Sequence, residues 1–381
     1  MKIDKCLPAG NIRVLEIRDH QVLLEEEERD SPCDWFYWKF RALFDEPGEW
    51  LFRFSRNWKV GTRGPAVSTD RGQSWHWLSD TAYGPTQEFS FRCRKPGEIW
   101  FCQALPYLQR DWELFAGGYA SSPAFHPDSL CRSRKGREVE LLRIREGEPP
   151  RAVLLTARHH CQETAASMVL EGLLRFALDP GAEGEGFRRH FTVFAVPFTD
   201  KDGVEEGDQG KGRAPRDHGR DYAGESVYPE TAAIRRLIEK ERPFLVMDLH
   251  SPWLRGPAHH EKPHFVENRV PRFQPGIRRL SRLLEEEAPP CAPFSHADLL
   301  RWGTAWNTPD NYNGKGLGGA GSNLTSACGD FPFVQLAATL EIPFANFGEK
   351  TMTRREFLLF GQAVGRALLR YGTGCRPDPG D

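Results

Sequence analysis

His160 and Glu163 stand three residues apart in Ala157-Arg-His-His-Cys-Gln-Glu-Thr164, where an apolar run gives way to helical spacing. Side chains three apart at the start of a helix point to one side, and imidazole nitrogen with carboxylate oxygen is an ordinary pair of zinc ligands. The same spacing suits a loop histidine followed by a glutamate that favours the positive end of a helix dipole. His250 closes the apolar run 244–249, the place where an α/β enzyme keeps its ligands. His259, His260 and His264 follow nearby as competitors, and a histidine satisfied near the core is the plainer reading. Glu341 lies inside the apolar run 337–343, so it must be paired, neutral or solvent-facing.

A fourth stretch carries cations. It reads Asp200-Lys-Asp-Gly-Val204, then Gly207-Asp-Gln-Gly-Lys-Gly-Arg213, then Asp217-His-Gly-Arg-Asp-Tyr222. Lys211, Arg213, Arg216 and Arg220 suit an anionic group, since guanidinium grips a carboxylate through two parallel hydrogen bonds. A solvated surface loop would look the same. The lack of a Gly-x-x-x-x-Gly-Lys-Ser/Thr pattern argues against phosphate-loop chemistry.

The elements that must position these residues are strands and helices in alternation. The run 151–157 is nearly continuous in apolar residues, as a strand buried on both faces requires. Met168, Leu170, Leu173, Leu174 and Ala177 then recur at helical spacing. Strands at 139–144, 191–196, 244–249 and 337–342 with helices at 229–241 and 354–369 complete the pattern. It predicts an α/β domain with a mixed, mostly parallel sheet flanked by helices over 108–381.

Residues 1–107 read differently. Phe36, Trp38, Phe40, Ala42 and Phe44 alternate, as do Trp50, Phe52 and Phe54 beyond the Asp45-Glu-Pro-Gly48 turn. Eight of the eleven tryptophans fall within the first 112 residues, so aromatics facing each other across two sheets would fill a β-sandwich. Exposed, they would instead form a glycan-binding platform. Residues 62–79 have the composition of a hairpin.

Composition narrows the function classes. The chain has 381 residues with 51 basic against 53 acidic, which gives no electrostatic argument for nucleic acid or an anionic membrane surface. No apolar segment approaches the roughly 18 residues of a membrane span. The opening MKIDKCLPAGNIRV lacks the apolar core of a secretory signal, so the expected compartment is cytoplasmic. The cysteines (Cys6, Cys33, Cys93, Cys102, Cys131, Cys161, Cys291, Cys328, Cys375) are odd in number and scattered, as reduced thiols are.

Taken in order, His160-x-x-Glu163, Asp202-Gly203, the 213–220 arginine loop, His250 and Glu341 resemble the zinc carboxypeptidase family, most closely its cytosolic carboxypeptidase-like branch. Residues 157–164 are similar to that branch's Ala-Arg-x-His-Pro-Gly-Glu-Thr, with Cys161-Gln162 in place of Pro-Gly. The resemblance implies one Zn²⁺ held by His160, Glu163 and His250, with Glu341 as general base. It also implies Arg213 at the oxyanion, with Arg216 or Lys211 as substitutes, and Arg220 on the carboxylate of a peptide substrate.

Asp217-His-Gly-Arg220 is similar to the family's Asp-Leu-Asn-Arg, with Gly219 where the family has asparagine. That exchange removes one hydrogen bond to a charge, on the order of 1.5 to 3 kcal/mol. Two alternatives stay open: deacylation of an N-acyl amino acid, as in related desuccinylase and aspartoacylase enzymes, and a non-catalytic protein that binds a glycan or partner through its first domain. Residues 307–323, with Tyr312 and many glycines, suit either a lid or a connector.

Overall fold

Four apolar runs form the parallel centre of a seven-stranded sheet. Across it the strands run Phe125–Arg132, Glu138–Ile144, Phe191–Val196, Arg151–Ala157, Leu245–His250, Leu336–Glu341 and His264–Val266. The four from Phe191–Val196 to Leu336–Glu341 pair in parallel, and antiparallel strands close both edges. Leu245–His250 is buried at every position, which explains why its sequence is a continuous run rather than an alternation. The computed structural model describes residues 1–32, 34–79, 86–147, 151–254, 258–315 and 318–374.

Parallel pairing brings the carboxyl ends of these strands to one edge. Ala157 pairs with Leu249, and His250 lies directly beside Glu341. The helix Thr164–Ala177 begins at that edge, and the long helix Arg354–Thr373 crosses it. The crossing depends on two glycines. A Cβ at Gly172 would meet the Leu358 carbonyl oxygen at 2.2 Å, and one at Gly361 would meet that of Val169 at 2.1 Å. The backbones therefore touch, and Thr164–Ala177 is fixed immediately beyond the loop that carries His160.

Residues before 103 build two further sheets. One has five strands (Lys2–Asp4, Lys39–Phe44, Gly97–Cys102, Ala66–Ser68, His76–Trp77) and the other four (Arg13–Arg18, Gln21–Glu25, Gly48–Phe54, Glu88–Cys93). Lys39–Phe44 and Gly48–Phe54 belong to different sheets, so the turn between them carries the chain across the sandwich. Their alternating aromatics meet in the middle: Phe40 and Phe52 lie 5.8 Å apart, and Phe52 and Phe101 5.3 Å. The alternation is thus core, as expected, and the 62–79 segment does contain a hairpin, Ala66–Ser68 against His76–Trp77.

Not every early aromatic joins that core. Trp35, Phe36, Tyr37 and Trp77 pack into the apolar core of the seven-stranded sheet, and the Trp77 indole donates to the Met352 carbonyl at 2.7 Å. The described cysteines are all free thiols, while Cys33 and Cys375 lie outside the described residues.

Candidate active site

The loop from Arg158 to Glu163 leaves the strand Arg151–Ala157 and is pinned from inside. Arg158 is buried with a left-handed backbone. Its guanidinium donates to the Cys161 and Tyr107 carbonyls and to Ser167 Oγ. Held this way, His160 Nδ1 comes to 2.7 Å from Glu163 Oε1. His250, at the end of its own strand, brings Nδ1 to 2.8 Å from Glu163 Oε2. The donor atoms of all three lie within 4.8 Å of one another, and all three residues are buried.

The far nitrogens of both rings are also held. His160 Nε2 is 3.0 Å from Asp217 Oδ1, and His250 Nε2 is 2.9 Å from Asp248 Oδ2. A ring that donates its Nε2 proton to a carboxylate has Nδ1 left to bind a metal, and both Nδ1 atoms lie beside the Glu163 carboxylate. Burial would raise the Glu163 carboxyl, yet the two imidazoles pull it down to about 2. Burial likewise opposes charging His250, and Asp248 with Glu163 nevertheless hold it well above its usual range. Three carboxylates converging on two imidazoles ask for positive charge, and two nitrogens with one oxygen are the donor set of a catalytic metal site with an open position. The residues therefore fit a divalent ion.

Behind this group lies a second layer. Asp248 Oδ1 accepts from Thr156 Oγ1 at 2.7 Å and lies 2.9 Å from His159 Nδ1, whose Nε2 is 2.7 Å from the Tyr222 hydroxyl. His159, Asp248 and His250 are also close enough to share an ion, but their facing atoms are occupied by one another and by Tyr222.

Glu341 is buried beside His250, with Oε2 lacking a hydrogen-bond partner among the described residues. Burial and the charge of Glu163 push its carboxyl up to about 7, against the pull of His250 and Lys211. Glu163 and Glu341 face one cavity of about 660 Å³, whose wall includes Lys211, Arg220, Trp35 and Tyr312. The Arg220 guanidinium lies 4.7 Å over the Tyr312 ring and donates to the Gly219 carbonyl, while its Nε has no partner among the described residues. A Cβ at Gly219 would meet His160 Nε2 at 2.8 Å and Asp217 Oδ1 at 3.0 Å. The glycine is therefore a steric requirement of this site.

Arg213 is a correction to the sequence reading. Its guanidinium lies 2.7 Å from Asp200 Oδ2, 3.0 Å from Asp208 Oδ2 and 3.4 Å from Asp30 Oδ2, and it does not line the cavity. The cause is local backbone geometry. Gly210 and Gly212 adopt left-handed φ of +79° and +64°, so Lys211 between them faces the cavity and Arg213 turns into a nest of carboxylates. Arg216 is pinned by Asp221 and the Glu225 carbonyl. His264 binds the Lys262 carbonyl and stays apart from the metal group, whereas His260 lines the cavity.

Sequence reasoning passed over Asp217, Asp248, His159 and Trp35. Asp248 had a usable signal, since two residues before His250 on a strand it shares that residue's face. Trp35 had none.

No protein-family profile matches the chain. Among curated proteins it is 29% identical over 208 residues to cytosolic carboxypeptidase 3 of Bos taurus, covering 50% of this chain and 20% of that protein. It is 23% identical over 266 residues to cytosolic carboxypeptidase 6 of Caenorhabditis elegans, covering 60% and 55%. In sequence the chain is thus similar to cytosolic carboxypeptidases. It spans about a fifth of the bovine relative's length and about half of the nematode's.

Solved structures agree on the fold. A metallo-carboxypeptidase from Burkholderia cenocepacia superposes with a TM-score of 0.77 at 19% identity, over 97% of this chain and 98% of that one. The Pseudomonas aeruginosa metallo-carboxypeptidase in complex with (2-guanidinoethylmercapto)succinic acid gives the same values. Carboxypeptidase A of Helicoverpa armigera matches at 0.51 over 71% of the chain.

Proposed function

We propose that the protein is a zinc-dependent carboxypeptidase that releases C-terminal residues from peptides. The observation that carries this reading is the convergence of His160 Nδ1, His250 Nδ1 and the Glu163 carboxylate in a cavity that also holds Glu341. One zinc ion bound by these three residues supplies Lewis acidity toward a water and a carbonyl oxygen.

The chain's own residues do the rest. Arg220, at the cavity wall, pairs with the substrate's terminal carboxylate. Glu341 accepts a proton from the attacking water as the water oxygen bonds to the carbonyl carbon and the carbonyl π pair moves onto oxygen. When that pair returns, the C–N bond breaks, its electrons go to nitrogen, and Glu341 returns the proton to the leaving amine. A carboxylic acid and an amine result, and the acid's proton passes to the amine to leave a carboxylate and an ammonium. Its raised carboxyl places Glu341 where it can both take and give a proton near neutrality.

Residues 1–107 and 108–381 are proposed as two units, a sandwich and a catalytic unit. A cytoplasmic setting is supported by the names of the relatives, and no described helix is long and apolar enough to cross a membrane. Deacylation of N-acyl amino acids is the second reading. It draws on Gly219, which leaves the carboxylate anchor without an amide side chain.

Zinc-loaded protein offered peptides with free or amidated C-termini and a panel of N-acyl amino acids separates the two. Single-residue release from free peptides alone supports the carboxypeptidase. Turnover confined to acyl amino acids would replace it, and a loaded protein inert on every amide would leave only a binding role.

A further inference from the structure

The geometry points to Lys211 as the cation that stabilises the oxyanion, presented to the cavity by a strap that Asn11, Glu27, Asp30 and Tyr37 hold in place. The inference rests on the carboxypeptidase reading and identifies a residue for that reaction. Lys211 Nζ lies 3.2 Å from His160 Nε2, in the wall that also carries Glu163 and Glu341. The other cations near the cavity are placed differently. Arg220 sits on the Gly219 and Tyr312 side, Arg213 is caged by carboxylates, and Lys315 is largely exposed and pairs with Asp310 at 3.1 Å.

A flexible lysine on a glycine-rich loop would be a poor oxyanion donor unless something else ordered it, because the stabilisation requires a charge already in place. The strap is ordered by residues far earlier in the chain. Asp30 accepts from the backbone N–H groups of Gln209 and Gly210, both at 3.0 Å, and its carbonyl accepts from Ala214 at 2.9 Å. The Gln209 side chain is enclosed in turn: its Nε2 donates to the Glu27 and Tyr37 carbonyls, and its Oε1 accepts from the Tyr37 N–H at 2.8 Å. Asn11 Nδ2 donates to the Gly207 carbonyl at 2.7 Å. On the catalytic side Asp217 closes the clamp, with Oδ2 accepting from Gly212 N–H at 2.7 Å and Oδ1 holding His160. Lys211 thus sits at the tip of a segment fastened on both sides of it.

In the reaction, water adds to the substrate carbonyl, the π pair becomes the oxyanion, and the Lys211 ammonium faces that charge without giving up its proton. Asp30 and Gln209 act through Lys211 as positioning residues. Together these contacts give residues 1–107 a part in the chemistry.

The test uses full-length, zinc-loaded protein and two readouts, peptide turnover and binding of a phosphinate pseudo-peptide whose tetrahedral anion mimics the addition product. Lys211→Met should lower kcat by about 100-fold or more and weaken phosphinate binding by a similar factor. KM and zinc content should stay close to wild type, and Lys211→Arg should recover most of the loss. Asp30→Ala should lower kcat by about tenfold to 100-fold, as a misplaced group does, and lower it no further in a Lys211→Met background. Gln209→Leu serves as a second mooring variant should Asp30→Ala fail to fold.

Wild-type kcat and phosphinate affinity in Lys211→Met would remove the inference while the carboxypeptidase reading stands. A rise in KM alone would make Lys211 a carboxylate anchor, and that too overturns it. Equal damage from Asp30→Ala in both backgrounds would reject the mooring, and a wild-type protein that neither hydrolyses peptides nor binds the phosphinate would remove both proposals.

Discussion

The cavity has two walls that are made rigid in different ways. One is the edge of the sheet, where His250 and Glu341 are neighbours because their strands share a hydrogen-bonded ladder. The other is the strap from Gly207 to Arg220, which has only a single short 3₁₀ turn of its own and owes its shape to Asp30, Gln209 and Asp217. The acids and imidazoles that must keep fixed distances sit on the ladder (Asp248, His250, Glu341) or on the loop 158–163 pinned beside it (His160, Glu163). Cations that must reach toward a substrate sit on the strap. The walls meet at Asp217, whose two oxygens hold His160 on one side and the Gly212 N–H on the other.

If the ladder wall and the pinned loop 158–163 beside it carry the metal and the proton transfer, their variants should give the largest and most separable losses. Glu163→Ala leaves two imidazoles facing a position with no carboxylate, and zinc should bind far more weakly than the about 10-fold to 100-fold that removal of a supporting residue costs. Metal analysis after dialysis against a weak chelator checks this, and full retention of zinc would break the assignment. Glu341→Gln keeps the shape of the wall but cannot accept a proton. It should retain zinc while kcat falls by about 10²-fold to 10⁴-fold, and turnover within a few-fold of wild type would mean that another base does the work.

Asp248→Ala and Asp217→Ala sharpen the contrast between the walls. Each removes the carboxylate behind one imidazole, so each should weaken zinc by about 10-fold to 100-fold. They differ in what else is released. Asp248 lies within the ladder, bonded to Thr156 and His159, and its loss should leave KM for peptides nearly unchanged. Asp217 also anchors Gly212 and accepts from the Gly219 N–H beside Arg220, so its loss should raise KM as well. Matching KM values for the two variants would show that the strap does not depend on Asp217.

The same division explains what could be read from the sequence. Strand ends are legible because apolar runs and their breaks are local, so the sequence puts His250 at the close of its run, whereas Glu341, inside the run 337–343 by sequence, is the last residue of its strand in the structure. His160 and Glu163 were legible from spacing and from a resembling motif. The strap was not. Which residue of Gly-Lys-Gly-Arg faces inward is decided by two left-handed glycines and by an aspartate 180 residues earlier in the chain, and no local period reports either. Trp35 escaped for a related reason. It precedes an alternating run whose later members fill the sandwich, while Trp35 itself stacks on Trp253 at the cavity wall.

A smaller effect concerns stability. Glu230, near the start of the helix Pro229–Glu241, is buried with Oε2 unpartnered among the described residues. The helix dipole favours a carboxylate there, yet burial first, and then the charges of Asp200 and Asp202, raise its carboxyl from 4.5 to about 7. The native state therefore keeps a proton that the unfolded chain releases near 4.5, so its contribution to stability is fully present below that pH and is lost as pH rises through about 7. Glu230→Gln is neutral throughout and escapes the loss. Urea unfolding of both proteins should show the variant more stable at pH 8, with the difference shrinking steadily toward pH 4, by an uptake of up to about one proton. A gap that stays constant with pH would mean that Glu230 titrates in the folded protein as it does in the unfolded chain.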